Sequence, residues 1–135
     1  MASVLKAIDP DDFETCRDLA VILMFYATGM RRAELISIKM GDLDLVNKMV
    51  KVLGKRNKER YIPLWPEVCH RLEEYMVYRA EIAGQEQPFL FLSSGGVKMY
   101  DKLVYRIINN YFSKASGKAK KSPHILRHSF ATHLL

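Results

Sequence analysis

The sequence predicts a mainly α fold with a small antiparallel β-sheet (α+β), because its apolar residues repeat in two different ways. Residues 13–27, 68–76 and 103–115 carry apolar side chains at the three- and four-residue spacing of an amphipathic helix. Residues 48–53 instead alternate apolar and polar side chains, and residues 60–64 have the composition of a returning strand. Two short strands joined by a polar stretch form a hairpin, so the predicted sheet is small and antiparallel.

The predicted helices begin and end at residues that favour helix termini. Acidic residues within 9–12 precede the first helix, where the helix dipole favours carboxylates, and Gly29 ends it. A short helix is predicted over residues 31–38, and Pro66 starts a third helix that ends near Gly84. The inner faces predicted from apolar spacing are Phe13, Cys16, Ala20, Leu23 and Ala27; Leu35 and Ile38; Val68, Leu72, Tyr75 and Met76; and Leu103, Val104, Ile107, Ile108, Tyr111, Phe112 and Ala115.

The hairpin is predicted from residue alternation and from one proline. Residues 41–44 read as a turn, after which Val50 and Val52 fall on one face of a strand. Pro63 cannot donate a backbone hydrogen bond, so the returning strand lies at a sheet edge or ends there. Residues 54–59 then form the hairpin tip.

Two further elements are predicted in the second half of the chain. Residues 89–92 read as a short apolar strand. Residues 117–121 form a basic loop, after which Ser122 as N-cap and Pro123 at the first helical position start a last helix.

Composition bounds the function without naming it. The chain of 135 residues has the length of one domain, and 49% hydrophobic residues allow a real core. Twenty-one Lys and Arg against fifteen Asp and Glu give a net charge of +6, which favours a polyanionic partner, either nucleic acid or an anionic membrane.

Cys16 and Cys69 form no C-x-x-C pair, which predicts two buried free thiols in a reducing compartment. The longest apolar run, residues 19–27, is too short to span a bilayer, and residues 1–6 lack a signal peptide's apolar stretch, so we expect a cytoplasmic protein.

Arg31 is the first candidate for phosphate chemistry. It follows the glycine break at a helix start, and Glu34 lies three residues further on the same helical face. A carboxylate at that position can hold a guanidinium so that it meets a phosphate through two hydrogen bonds. An isolated Arg-x-x-Glu pair is more often a solvated surface ion pair.

Lys55 is the second candidate, at the predicted hairpin tip beside Arg56, Lys58 and Arg60. A lysine on such a loop can enter a DNA groove. It can also protonate a leaving oxygen if neighbouring cations lower its pKa. Taken alone, this stretch would be an ordinary solvated basic turn.

His124 and Arg127 form the third candidate, three residues apart on one face of the last predicted helix. His124 falls in the first turn, where backbone N–H groups and the helix dipole favour an anion. A rival interpretation takes His124 and His128 as metal ligands, but nothing local supplies the acidic residue of an H-E-x-x-H site. We therefore predict no metal, and a structural role for His133.

The order and spacing of these clusters resemble the catalytic set of the tyrosine recombinases (the phage integrase family), above all the Xer-type chromosome-dimer recombinases. Residues 28–35, Thr-Gly-Met-Arg-Arg-Ala-Glu-Leu, look like the family's first-arginine motif. Residues 54–64 look like its lysine hairpin, and residues 123–134 like its second-arginine box. The resemblance covers about residues 13–135.

The resemblance implies the fold of a tyrosine recombinase catalytic core and a role for each matching residue. Arg31 and Arg127 would clamp the scissile phosphate, with Glu34 orienting Arg31. Lys55 would act as general acid toward the leaving 5′-hydroxyl, and His124 would assist proton transfer. No metal or nucleotide cofactor is implied. Cations near the motifs are expected to contact duplex DNA, namely Arg32, Arg56, Lys58, Arg60, Lys118, Lys120, Lys121 and His128.

The sequence departs from the family pattern in three respects. All seven tyrosines, from Tyr26 to Tyr111, precede the box that contains His124, so none is in the nucleophile position, which would follow Leu135. The family's amino-terminal DNA-encircling domain has no counterpart here. Arg56 occupies a position where the family often has glycine, which leaves the turn type of the hairpin open.

We therefore expect residues 1–135 to form a single, carboxy-terminally truncated catalytic domain, either an excised piece of a working recombinase or the product of a truncated gene. The parent protein would act on duplex DNA as a tetramer in the bacterial cytoplasm, at the nucleoid. The chain by itself is expected to be a monomer.

Three functional interpretations follow from these observations. In the first, the parent protein performs site-specific DNA recombination and DNA integration through a 3′-phosphotyrosyl intermediate, and this chain only binds DNA. In the second, the chain is a catalytically dead DNA-binding remnant. In the third, the parent is an enzyme like a type IB topoisomerase, which uses a similar Arg, Lys and His set without pairing two sites.

Overall fold

The structure of the chain is a computed structural model that describes residues 11–116, with side-chain surroundings up to residue 113. Its helices and strands are α1 (Phe13–Thr28), α2 (Arg32–Ile36), β1 (Leu43–Asp44), β2 (Met49–Leu53), β3 (Glu59–Pro63), α3 (Pro66–Ile82) and α4 (Asp101–Ser116). Single 3₁₀ turns cover Met40–Asp42 and Lys55–Asn57. The predicted α+β class is confirmed. The predicted basic loop and last helix lie outside the described residues.

Both ends of α1 are fixed by the residues that the sequence predicted. A side-chain oxygen of Asp12 accepts a hydrogen bond from the backbone N–H of Thr15 at 2.7 Å, which satisfies one of the unpaired donors of the first turn. Gly29 has φ of 65° and donates its N–H to the carbonyl of Phe25 at 3.0 Å. The left-handed backbone conformation at this position favours glycine. The helix α1 therefore ends at Thr28, shortly before Arg31.

The core surrounds α1, which contacts both α3 and α4. Because other helices pack against α1 on several sides, its buried surface is much wider than the predicted apolar stripe. Phe13, Leu23 and Ala27 of that stripe are only partly buried, and residues that it omitted are almost fully buried. The omitted apolar residues are Leu19, Val21, Ile22, Met24, Phe25 and Tyr26. A single helical stripe was the wrong expectation for this central helix.

The three strands form an antiparallel sheet in the order β1-β2-β3. Val50 and Val52 of β2 are buried on the core side, as the alternation predicted. In the register of the hairpin, Val50 pairs with Ile62 and Val52 with Arg60. Pro63 is the last residue of β3, which is an edge strand, so both of its predicted placements are confirmed.

Residues 41–44 were predicted as a turn, and this prediction was only partly right. A 3₁₀ turn ends at Asp42, and Leu43 then pairs with Val50 to add the short strand β1 to the sheet. Two residues are too few to show an alternation of apolar and polar side chains, so the sequence did not predict β1.

The strand predicted over residues 89–92 is not formed. Its ends make only isolated bridges, Phe89 with Lys39 and Leu92 with Lys98. The buried Tyr75 hydroxyl donates to the carbonyl of Leu90 at 2.8 Å and accepts from the N–H of Leu92 at 3.0 Å. Side chains therefore satisfy backbone groups that a neighbouring strand would otherwise bond.

Candidate phosphate-binding site

A cleft of about 720 Å³ lies between α2 and the β2–β3 hairpin. Arg31 borders it at the start of α2, and Lys55 borders it at the hairpin tip. Lys51 and Leu53, on the face of β2 opposite the buried valines, form part of its wall. The fold thus brings together the two described cations that the sequence singled out for phosphate chemistry.

Arg31 is held through its backbone, while its side chain is exposed. It is the N-cap of α2, with extended backbone angles of −76° and 155°. The preceding Met30 is completely buried, and the N–H of Arg31 donates to Oε1 of Glu34 at 2.8 Å. These two anchors fix the backbone of Arg31, while its exposed side chain borders the cleft.

Glu34 forms its side-chain ion pair with Arg60 rather than with Arg31, the partner that the sequence suggested. Its carboxylate binds the backbone of Arg31 and the guanidinium of Arg60, whose two terminal nitrogens lie 2.9 and 3.2 Å from its two oxygens. The hydrogen bond from Arg60 is the main reason that the pKa of Glu34 lies below its ordinary value, and the Arg31 backbone N–H adds to the shift. Glu34 therefore stays ionised beside the cleft, in contact with a different arginine.

The hairpin tip has a defined turn that resolves the question left by the sequence. Arg56 and Asn57 have φ of 59° and 57°, both left-handed. The N–H of Gly54 donates to the carbonyl of Lys58 at 2.9 Å, and the N–H of Lys58 donates to the carbonyl of Lys55 at 3.2 Å. Arg56 thus occupies a conformation that glycine adopts without steric cost, and Lys55 projects from a closed, hydrogen-bonded loop.

The other candidate cations of the described part do not border the cleft. Arg32 forms an ion pair with Asp101 of α4 at 3.0 Å, and its guanidinium lies 5.3 Å from the centroid of the Tyr105 ring. Arg56 and Lys58 are exposed on the hairpin, outside the cleft lining. Arg31 therefore borders the cleft, whereas its neighbour Arg32 does not. Outside the described residues lie His124, Arg127, His128, His133, Lys118, Lys120 and Lys121.

Three lysines that the sequence analysis did not select also border the cleft. Lys51 lies 3.4 Å from Asp42 and 3.7 Å from Glu59, and the Glu59 charge is the largest cause of its raised pKa. Lys98 lies 4.6 Å from the centroid of the Phe89 ring. Lys39 is exposed at the cleft wall. The alternation of β2 could have placed Lys51 opposite the valines, whereas the other two positions depend on tertiary contacts.

Within the described residues, no tyrosine borders the cleft. Tyr75 is fully buried beneath residues 89–92, and burial raises its pKa to about 12. Burial likewise raises the pKa of Tyr111 to about 12, and it raises the pKa of the buried Tyr26 as well. A phenol with a raised pKa, away from the cleft, is poorly suited to attack a phosphate.

The described part of the chain holds neither a metal-binding cluster nor a membrane-spanning helix. Between residues 11 and 116, no group of three His, Cys, Asp or Glu side chains is placed to hold a metal ion. No helix in the same range has the length and apolar character to cross a membrane.

Residues 1–135 match the Phage integrase family, and the chain belongs to that family. Tyrosine recombinase XerC of Chlorobaculum parvum is 40% identical over 137 residues, which cover 96% of this chain and 40% of the relative. Tyrosine recombinase XerC of Staphylococcus carnosus is 34% identical over 135 residues, which cover 100% of this chain and 46% of the relative. The resemblance drawn from the motifs is confirmed, and the chain spans less than half the length of these two relatives.

Solved structures confirm the fold. The crystal structure of XerA recombinase superposes with a TM-score of 0.79 at 29% identity, covering 90% of this chain and 44% of that one. XerH site-specific recombinase, solved as a pre-cleavage complex bound to difH substrate, superposes with a TM-score of 0.80 at 26% identity. That match covers 98% of this chain and 39% of XerH.

Proposed function

We propose that this chain supplies the phosphate-activating part of a site-specific DNA recombinase that cuts and rejoins duplex DNA through a 3′-phosphotyrosyl intermediate. The observation that carries the proposal is that Arg31 and Lys55, from two different elements, border one cleft. The names of its relatives support it, since both curated relatives are called tyrosine recombinases and the XerH structure contains its DNA substrate.

The proposed chemistry is an in-line displacement at phosphorus. A tyrosine oxygen bonds to the scissile phosphorus while the bond from phosphorus to the 5′ oxygen breaks. Arg31, together with Arg127, neutralises charge on the non-bridging oxygens, which stabilises the transition state. Lys55 gives a proton to the departing 5′ oxygen, and His124 assists proton transfer. Rejoining is the reverse reaction: the 5′-hydroxyl attacks phosphorus and gives its proton back to Lys55, while the bond from phosphorus to the tyrosine oxygen breaks.

The two described residues suit these roles for different reasons. A guanidinium offers a planar fork of donors to two phosphate oxygens, and the Arg31 side chain is exposed at the cleft while its backbone is anchored. An ammonium carries protons that it can transfer, and Lys55 approaches from a separate element. Cations that reach one cleft from two elements can contact both the phosphate and its leaving group.

The nucleophile is not among the tyrosines that the structure describes. None of the chain's seven tyrosines borders the cleft, and Tyr26 and Tyr75 are buried. The chain by itself is therefore proposed to bind duplex DNA without cutting it. Four copies would assemble on DNA in the parent protein, as the family resemblance implies, whereas this chain alone would sediment as a monomer.

A nicked duplex with a 3′-p-nitrophenyl phosphate beside a 5′-hydroxyl tests the site without a tyrosine. The aryl group stands in for the tyrosine, so the 5′-hydroxyl attacks phosphorus and p-nitrophenolate leaves. We expect the chain to seal this nick. At saturating DNA, Arg31→Ala and Lys55→Ala should each slow sealing by roughly 10²-fold or more.

Arg71→Ala is the matched control, because it removes a guanidinium on α3 that does not border the cleft. Sealing that is equally fast in Arg31→Ala and in the unchanged chain would contradict the proposal. Duplex binding that is salt-dependent, with no sealing at all, would favour a DNA-binding role without catalysis.

A further inference from the structure

One carboxylate joins the two parts of the chain that carry Arg31 and Lys55. Glu34 Oε1 accepts the backbone N–H of Arg31 at 2.8 Å. The same Glu34 carboxylate accepts hydrogen bonds from both terminal nitrogens of Arg60, at 2.9 and 3.2 Å. The start of α2 and the strand that follows the hairpin tip are therefore linked through a single side chain.

The register of the hairpin explains why Arg60 reaches α2. Arg60 pairs with Val52, and directly paired residues of an antiparallel ladder project from the same face of the sheet. Val52 is buried in the core, so Arg60 projects from the core-side face and toward Glu34. Arg60 is not part of the cleft lining.

Gly54 is packed against this ion pair. A Cβ at that position would lie 3.0 Å from a terminal nitrogen of Arg60 and 3.2 Å from Oε2 of Glu34. Its φ of −96° lies within the range of ordinary residues, so close approach, rather than backbone conformation, accounts for the glycine. The residue directly before Lys55 thus rests on the Glu34–Arg60 pair.

Neither linked element is fixed by burial alone. The helix α2 has five residues, and only Leu35 among them is buried. Every residue from Lys55 to Arg60 is exposed. With so little apolar surface to hold them, the two elements depend on specific polar contacts for their relative placement.

We propose that Arg60 is a positioning residue that, through Glu34, fixes the hairpin tip carrying Lys55 relative to Arg31. The sequence had assigned Arg60 to DNA contact. The effect of Arg60 on catalysis rests on the proposed function, whereas the Glu34–Arg60 link between α2 and the hairpin is a property of the chain without DNA.

The fork geometry of the pair provides the sharpest test. Arg60→Lys keeps the positive charge, but an ammonium cannot make the two parallel hydrogen bonds of a guanidinium. A DNA contact based on charge would tolerate this change, whereas a positioning role would not. Arg60→Gln removes the charge, and Glu34→Gln removes the other half of the pair.

The experiment measures three quantities in these variants: amide hydrogen exchange, nick sealing at saturating DNA, and the salt dependence of duplex binding. Arg60→Lys and Arg60→Gln should both speed exchange at the amides of Gly54 and Lys58. Both should slow sealing by roughly 10- to 100-fold, because small displacements of a catalytic group cost that much. The salt slope should match that of the unchanged chain. The double variant Glu34→Gln with Arg60→Gln should be no slower than Glu34→Gln alone.

Two controls separate the alternatives. Arg71→Lys makes the same exchange of side chains on α3, where Arg71 pairs with Glu74, and should leave sealing unchanged. Lys58→Gln removes an exposed hairpin cation and should lower the salt slope by about 1 if that cation meets a phosphate.

The proposal is overturned if Arg60→Lys shows unchanged exchange at Gly54 and Lys58, or if Arg60→Gln lowers the salt slope while sealing at saturation stays unchanged. The exchange measurement needs neither DNA nor activity. It therefore tests the Glu34–Arg60 link even if the chain binds DNA without sealing the nick. That outcome would count against the proposed function alone.

Discussion

Arg32 and Asp101 form an ion pair, with 3.0 Å between Nε and Oδ1, that joins the start of α2 to the first residue of α4. The Arg32 guanidinium also lies 5.3 Å from the centroid of the Tyr105 ring, one turn further along α4. Its neighbour Arg31 borders the cleft instead. Of these two consecutive arginines, Arg32 attaches α2 to α4, and Arg31 borders the cleft.

This division predicts opposite phenotypes for two alanine substitutions. Arg32→Ala should lower the free energy of unfolding by about 1 kcal/mol, through loss of a partly exposed ion pair and a cation–π contact. Arg31→Ala should change it by less than about 0.5 kcal/mol, because the side chain is exposed and Ala keeps the backbone N–H that Glu34 accepts. Urea unfolding of both variants checks the expectation. A larger loss for Arg31→Ala would show that Arg31 supports the fold.

Local patterns in the sequence predicted the elements that local physics determines. The Asp12 cap, the Gly29 stop and the core-side valines of β2 each depend on a few neighbouring residues. The strand predicted over residues 89–92 failed because its apolar run is held by Tyr75 and by Arg79, whose guanidinium donates to the carbonyl of Leu90 at 3.0 Å. A short apolar run does not reveal whether strands or side chains will satisfy its backbone.

The site shows the same limit. Family motifs identified Arg31 and Lys55, and the structure places both at one cleft. The partner of Glu34 was beyond sequence reasoning, since Arg60 lies 26 residues away and meets it only through the register of the hairpin. A three-residue spacing suggested Arg31 as the partner, but the short α2 leaves that side chain exposed and presents Glu34 to β3.

The left-handed conformation of Arg56 predicts a stabilising substitution. With φ of 59° and ψ of 29°, a side chain meets a steric cost of about 1 kcal/mol or more that glycine avoids. Arg56→Gly should therefore raise the free energy of unfolding by about 0.5 to 1 kcal/mol, after allowance for the greater freedom of glycine in the unfolded chain. Arg56→Ala is the control, because it removes the guanidinium but keeps the conformational cost. Equal stability of the Gly and Ala variants in urea unfolding would count against a strained turn.

Tyr75 is predicted to stabilise the fold through its hydroxyl. Replacement with Phe keeps the ring but removes the acceptor for the N–H of Leu92 and a donor to the carbonyl of Leu90. A buried backbone N–H left without a partner costs about 1–3 kcal/mol, so Tyr75→Phe should lose that much stability. Tyr78→Phe, three residues further along the same helix on a half-buried ring, should stay within about 0.5 kcal/mol. Similar losses in both variants would mean that the buried hydroxyl is not special.

The Glu34 carboxylate predicts a pH dependence of stability with a definite sign. The hydrogen bond from Arg60 holds its pKa below the ordinary value in the folded chain. In the unfolded chain the group titrates near its usual pKa of about 4.3. A folded pKa below the unfolded one stabilises the fold at pH values above the unfolded pKa, and this contribution is lost as the pH falls through the folded pKa.

Glu34→Gln imitates the protonated carboxyl, so it isolates this contribution from every other titrating group. The unchanged chain should be more stable than the variant near pH 6, by no more than about 1 kcal/mol because the Arg60 side chain is substantially exposed. The difference should shrink as the pH falls below about 4.3. A difference that stays constant down to the acid limit of folding would mean that the charge of Glu34 contributes nothing.

Nuclear magnetic resonance of the Glu34 side chain gives the direct measurement. Its titration midpoint should lie below the ordinary glutamate value in the unchanged chain and rise in Arg60→Gln, because the largest cause of the lowered pKa is then removed. The Arg31 backbone N–H would still donate to the carboxylate, so some of the lowering should remain. An unchanged midpoint in Arg60→Gln would mean that the fork seen between these side chains is not held in solution, and the tie between α2 and the Lys55 hairpin would lose its basis.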